Sequence, residues 1–345
     1  MPETRVLLVK LSSLGDVIHN LPAVSDLRRH RPDARIEWAV EEAYADLVEL
    51  HPAVERAIPV NLRRLRRNLA SASAWRAFSL SRRSLTRHAY DAIVDTQGLV
   101  KSAVVAGFAA GPVTGFDAAS ARESLASRFY DRTFPVARDR HAVERNRALV
   151  GLAFGYLPQG GPDYGLRAPD EPLAWLASAS VTTFLHATSR EDKLWPEASW
   201  IELGKMLATL GATIVLPGGS DAERSRSARI AAAIPNALAA PPLRLIEAAA
   251  LLARSRAVVG VDTGLAHLAV ALGRPTTGIY CATDPGLTGL AGGAGAVNLG
   301  GRGTPGPLTG TRPRGRESSR DSRSCASARP ESRRAPSPRH PNPDP

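Results

Sequence analysis

Lys10-Leu11-Ser12-Ser13-Leu14-Gly15-Asp16 follows the apolar run Arg5–Lys10, so a glycine turn and a carboxylate stand where a strand should end and a helical pattern begin. Open α/β sheets bind their ligands at that end of the strands. A carboxylate beside a helix N-terminus stays ionised, and an ionised Asp facing a cleft can take the proton of an attacking hydroxyl. The same position suits a helix cap, and spacing alone leaves both roles open for Asp16. The turn is not a G-x-G-x-x-G fingerprint, which argues against a dehydrogenase.

Two later segments have the same strand–turn–helix form. His186-Ala187-Thr188-Ser189-Arg190-Glu191-Asp192-Lys193-Leu194-Trp195-Pro196 starts where a strand should end, and Pro196 suits a first helical position. Its hydroxyls and Lys193 can hold a diphosphate; an ordinary polar loop is the alternative. In Gly260–His267 the backbone N–H groups of Thr263, Gly264 and Leu265 open a helix and form an anion site. Asp262 can accept hydrogen bonds from sugar hydroxyls, while His267 alone reads as a packed helix residue. The chain holds no Walker A loop, no His/Glu metal motif and no D-x-D pair, so neither a metal nor a cofactor is expected.

These loops need a scaffold of alternating strands and helices. Strands are expected at Arg5–Lys10, Arg35–Val40, Ala57–Val60, Asp91–Asp95 and Val113–Phe116, and helices at 17–29, 74–87, 99–109 and 141–154. A breaker-rich stretch from Gly155 to Pro172 interrupts the pattern, which restarts with strands at Val181–His186, Thr213–Pro217, Ala257–Val261 and Thr276–Tyr280 and helices between them. Such alternation implies parallel sheets covered on both faces. The expected layout is a first nucleotide-fold domain over 1–160, a linker over 161–175 and a second domain over 176–290. Residues 301–345 hold one Leu, no aromatic residue and ten Arg against four Asp or Glu. Disorder is expected over 291–345, either as a basic arm or as the product of a shifted reading frame.

At 345 residues two domains are the sensible prior. The net charge of +11 is concentrated in that tail, leaving a mildly basic body that suits a phosphorylated ligand, an anionic membrane surface or solubility alone. Cys281 and Cys325 are the only cysteines, so a disulfide framework or thiolate zinc site is not expected. With no secretory h-region and no long apolar run, a cytoplasmic protein is expected.

Taken in order, VKLSSLGDVIHNLPA, EWAVEEAYADL, IPVNLRRLRR, DAIVDTQGLVKSA, ARESLASRFYDR, HAVERNRAL, HATSREDKLWPE, VDTGLAHLAVAL and TDPGLTG, from residue 9 to about residue 289, resemble the heptosyltransferases of the lipopolysaccharide inner core, a glycosyltransferase family 9 group. The wording fits best the type that adds the first heptose; the type that adds the second is the alternative. The resemblance implies a GT-B fold, with two Rossmann-like lobes facing across a cleft. It also implies inverting, metal-independent transfer of L-glycero-D-manno-heptose from ADP-heptose to Kdo of Kdo-lipid A, peripheral to the inner membrane and without nucleic acid.

Carried onto this chain, Asp16 resembles the general base and Lys193 the residue steadying the departing diphosphate. Thr188, Ser189, Glu223, Leu243, Asp262, Thr263, Gly264, Leu265 and His267 fall to the donor. Ser12, Ser13, Gly15, Arg63, Arg64, Arg66, Arg67, Gln97 and Arg122 fall to the acceptor, with a solvated basic face as the alternative for the arginines. Members of the family end in a helix that braces the first lobe. Its pattern is missing here, so a nucleotide-sugar-binding protein that no longer turns over is the competing expectation.

Overall fold

The computed structural model describes residues 4–62, 71–177, 180–293 and 295–301. The first lobe runs Arg5–Val9 (β1), Leu14–Ile18 (α1), Leu21–His30 (α2), Arg35–Glu41 (β2), Ala45–Val48 (α3), Val54–Val60 (β3), Ala72–Leu85 (α4), Ala92–Asp95 (β4), Val100–Ala106 (α5), Val113–Phe116 (β5), Arg132–Phe134 (β6) and Ala142–Phe154 (α6). Its strands pair in parallel in the order β3-β2-β1-β4-β5-β6. The run RVLLV sits at the centre because Val6, Leu7, Leu8 and Val9 are fully buried, as a strand covered on both faces requires.

The second lobe runs Val181–Leu185 (β7), Glu197–Thr209 (α7), Ile214–Leu216 (β8), Asp221–Ala232 (α8), Ala237–Ala239 (β9), Leu245–Arg254 (α9), Ser255–Val261 (β10), Gly264–Ala271 (α10), Thr276–Tyr280 (β11), Pro285–Thr288 (α11) and Ala296–Gly300 (β12). The order β12-β11-β10-β7-β8-β9 repeats that of the first lobe when both are counted from their first strand. Each sheet reverses direction beside its first strand, between β1 and β4 and between β7 and β10. Ligands of doubly wound sheets bind in the crevice at that reversal.

Several expectations need correction. The helix expected over 17–29 is two helices, because Pro22 has no N–H to carry the ladder through and instead opens α2 in its first turn. The second domain does not end at residue 290. Gly292 and Gly295, at φ 69° and 90°, turn the chain so that β12 pairs alongside β11, and the Asn298 side chain binds both the N–H and the C=O of Leu290 at 2.9 and 3.0 Å. The tail from residue 302 lies outside the described residues.

No regular element occupies the expected linker 161–175. Arg147 pairs with buried Asp26 at 2.6 Å and donates to the carbonyls of Gln159 and Gly160, which fixes the start of that crossing. The largest apolar cluster runs from Val6 and Trp38 in one lobe to Val258 and Leu268 in the other, so the lobes share a continuous core. No helix among the described residues is long and apolar enough to cross a membrane.

Candidate active site between the lobes

The end of β1 and the end of β4 are neighbours because Val9 pairs with Asp95. That register brings Gln97 against the loop carrying the first motif. Its side-chain oxygen accepts the N–H groups of Leu11 and Ser12, and its amide donates to the Ser12 carbonyl. Gln97 is fixed in turn by Asp95, whose Oδ1 accepts the Gln97 and Gly98 N–H groups and whose Oδ2 accepts from the Ser102 and Tyr130 hydroxyls. Burial pushes the Asp95 carboxyl up despite these bonds.

Asp16 stands in the first turn of α1 and lines a cleft of about 630 Å³ between the lobes. Its Oδ2 accepts the Ser13 N–H at 3.0 Å, so it does cap its helix. Arg122 spans both of its oxygens, at 2.5 and 3.3 Å. Burial works to raise the carboxyl, but the charges of Lys10 and Arg122 and the Ser13 N–H outweigh it and hold Asp16 below its ordinary value. Lys10 lies buried, donating to the Thr96 carbonyl and to Asn146 Oδ1 at 2.7 and 3.2 Å. Burial brings its ammonium down to about 8.

Across the cleft, Lys193 donates to Asp262 Oδ2 at 2.7 Å, and the Thr283 hydroxyl donates to the same oxygen at 2.7 Å. Burial opposes ionisation of Asp262, yet the neighbouring His267 ring and hydrogen bonds from Lys193 and Thr283 hold its carboxyl far below the ordinary range. The Thr188 hydroxyl donates to the Asp262 carbonyl at 2.9 Å, joining the loop after β7 to the loop after β10. Thr263, Gly264 and His267 line this side of the cleft. A neighbouring pocket of about 260 Å³ is lined by Thr188, Ser189, Glu223, Leu243, Thr263 and Leu265. Glu223 Oε2 accepts the N–H groups of Gly219 and Ser220, capping α8 at the pocket's edge.

Local spacing could not have joined these loops, but the fold brings Asp16, Ser13, Gly15, Arg122, Thr188, Ser189, Lys193, Asp262, Thr263, Gly264 and His267 to one cleft. Two residues assigned to the acceptor lie beneath the cleft surface. Gln97 and Ser12 are buried and do not line it; their polar groups are used to hold the loop from below. Arg63, Arg64, Arg66 and Arg67 lie outside the described residues. His19, Tyr44, Thr283 and Thr288 are functional neighbours that the sequence did not single out. A His three residues after Asp16 shares its helix face, which was the one available signal for His19.

Residues 78–303 match the model of glycosyltransferase family 9 (heptosyltransferase). The chain is 48% identical over 294 residues to lipopolysaccharide heptosyltransferase 1 of Pseudomonas aeruginosa, covering 84% of this chain and 81% of that protein. It is 44% identical to the enzyme of the same name from Salmonella typhimurium, covering 83% and 90%. Among solved structures, E. coli heptosyltransferase WaaC with ADP superposes with a TM-score of 0.80 at 42% identity, over 86% of this chain and 92% of that one. The same protein with ADP-2-deoxy-2-fluoro heptose gives 0.77 at 40% identity, over 86% and 93%. Similarity of this depth, over most of the chain, makes the chain a member of glycosyltransferase family 9, the heptosyltransferase family.

Proposed function

We propose that this enzyme moves L-glycero-D-manno-heptose from ADP-heptose to a hydroxyl of Kdo on Kdo-lipid A, with inversion and without a metal, in lipopolysaccharide core synthesis. The observation that carries this reading is the meeting of Asp16 with the Lys193–Asp262 pair across one cleft. The relatives named above are heptosyltransferases, and the solved ones hold ADP and an ADP-heptose analogue.

In the proposed reaction Asp16 accepts the proton of the attacking hydroxyl as its oxygen bonds to the anomeric carbon. The bond from that carbon to the diphosphate oxygen breaks, and ADP departs with the electron pair. A carboxylate this acidic is a weak base, but partial transfer in the transition state still contributes roughly 10²–10⁴-fold. Lys193, the hydroxyls of Thr188 and Ser189 and the N–H groups at the start of α10 meet the charge that develops on ADP, and such preorganised charge is usually the largest catalytic contribution. Asp262 takes the sugar hydroxyls, and Glu223 and Leu243 the nucleoside. Arg122 holds the anionic acceptor beside Asp16, with Arg63, Arg64, Arg66 and Arg67 assigned to the same task.

The acceptor is a lipid, and α4 supports a peripheral seat on an anionic cytoplasmic membrane face. Trp75 and Leu80 are 48% and 62% exposed on it, beside exposed Arg76, Arg82 and Arg83, and basic helices with exposed apolar groups lie in bilayer interfaces. Purified protein given ADP-heptose and Kdo-lipid A in chelator should release ADP, and Asp16→Ala should abolish that release. An Asp16→Ala variant of full activity sinks Asp16 as the base. Calorimetric ADP binding with no transfer points instead to a binding protein without turnover. Sedimentation with phosphatidylglycerol vesicles tests the membrane seat, which fails if Arg76→Ala/Arg83→Ala changes nothing.

A further inference from the structure

The floor of the cleft contains a polar chain that the reaction above does not use. It begins at Lys10, whose Nζ donates to Asn146 Oδ1 at 3.2 Å; Asn146 Nδ2 donates to the His19 carbonyl at 3.0 Å. His19 Nε2 lies 3.2 Å from His267 Nδ1, and His267 Nε2 lies 4.0 Å from Asp262 Oδ1. Asp262 is also the partner of Lys193. The chain therefore runs from the strand beneath the proposed base to the proposed sugar-binding carboxylate, and it crosses between lobes at one contact, His19 to His267.

The protons along this chain follow from its ends. Asp262 Oδ1 faces His267 Nε2 at 4.0 Å, an approach that favours the tautomer with its N–H on Nε2 and Nδ1 as the acceptor. His19 must then donate from its own Nε2. Burial, reinforced by the neighbouring His267 and His141, holds His19 well below its ordinary value, so the ring is neutral and has one proton to give. His141, stacked edge-on against His19, is fixed in the same sense: Nδ1 accepts the Val143 N–H, and Nε2 donates to the Gly289 carbonyl on the second lobe. His19 itself is the residue that closes α1 at its C-terminal end, only one turn from Asp16.

We propose that His19 is a positioning residue for the transfer reaction: its Nε2–H bond to His267 Nδ1 sets α1, and with it Asp16, in register with Asp262 and Lys193 on the opposite lobe. His19 does not touch the reacting atoms; it acts through His267 and through the helix it ends. Loss of the bond leaves each half of the site intact and misplaces one against the other, and a displacement of about 1 Å costs on the order of 10²-fold in rate.

The assignment rests on heptosyl transfer being the reaction, so two readouts are used. In the full-length protein, His19→Leu is expected to lower kcat by roughly 10–100-fold while the protein stays folded and calorimetric ADP affinity stays near wild type. His19→Gln, which keeps an N–H close to the Nε2 position, is expected to restore most of the turnover. A fully active His19→Leu, or a Gln variant as slow as the Leu variant, overturns the proposal. The second readout needs no turnover: in protein carrying ¹⁵N-histidine, His19 is expected as the neutral Nε2–H form from pH 5 to 8, with its Nε2 resonance moving in His267→Gln. A His19 proton found on Nδ1, or an unmoved resonance, overturns the proposal even if the wild type transfers no heptose, and that inactivity would count against the transferase reading alone.

Discussion

Arg122 grips both carboxylate oxygens of Asp16, at 2.5 and 3.3 Å. The guanidinium thus keeps the proposed base ionised and also occupies it, so an incoming anionic acceptor that draws Arg122 to itself releases Asp16 for proton transfer. Removing the guanidinium has two opposed consequences. Asp16 becomes a stronger base, because a charge that held its carboxyl down is gone, while the acceptor loses a partner. With the wild-type carboxyl below its ordinary value of about 3.9, activity should persist to acid pH. Arg122→Gln should move the acid limb of the kcat profile to higher pH and raise the acceptor KM with little change in the donor KM. An acid limb that stays in place in ADP-release assays refutes the pairing as a determinant of Asp16.

Gly264 is required by its neighbour. A Cβ built there meets the Leu14 Cβ and Cγ at 2.8 Å, and Leu14 belongs to the opposite lobe. Those atoms sit at the root of the Leu side chain, so a rotamer change does not relieve the clash. Gly264→Ala should cost about 1–3 kcal/mol as an overpacked contact, read as a lowered melting temperature, and should reduce turnover more than ADP affinity. Leu14→Ala in the same chain is expected to recover part of both. No recovery in the double variant argues against this contact.

Gln97 makes three hydrogen bonds to the Leu11–Ser12 backbone. Gln97→Leu leaves buried backbone groups without partners, at roughly 1–3 kcal/mol for each one truly orphaned. Melting temperature and kcat should both fall, while acceptor KM changes little, because the side chain does not line the cleft. An acceptor KM that rises with kcat unchanged would return Gln97 to the acceptor contacts.

Lys10 makes stability depend on pH. Its folded value of about 8 lies below the ordinary lysine value of 10.5, so between those values the unfolded chain binds a proton that the folded chain does not. Stability from this group therefore rises with pH across that window, by up to about 3 kcal/mol, and the cost of burying the charge is fully present below pH 8. Urea melts at pH 7 and 9.5 should show a smaller pH effect in Lys10→Met than in the wild type. Equal pH effects in the two proteins would mean that Lys10 is not the titrating group.

Much of this architecture was legible. The run RVLLV could only be a strand buried on both faces, and Gly15-Asp16, Thr188–Lys193 and Asp262–Leu265 each followed such a run at the end where doubly wound sheets bind ligands. The short edge strands were not. Arg132–Phe134 and Ala237–Ala239 are three residues long and largely exposed, too short to show a periodicity, and Ala296–Gly300 was hidden by the glycines before it. The hold of Gln97 on the Leu11–Ser12 backbone was not legible because its partners lie 85 and 86 residues away. His19 went unnoticed because His267 is 248 residues distant, and no local periodicity records such a pairing.

The repeated strand order has a consequence for how such an enzyme can change over generations. Asp16 and Arg122 come from one sheet and its loops, while Lys193, Glu223, Leu243 and Asp262 come from the other. If the proposed donor and acceptor roles hold, substitutions on one lobe should alter which activated sugar is accepted without disturbing what is glycosylated, and the reverse. The exception is the seam. There Leu14 meets Gly264, His19 meets His267 and His141 meets Gly289 beside a shared apolar core, so a chimera joining the halves of two relatives should succeed where the residues of that seam agree.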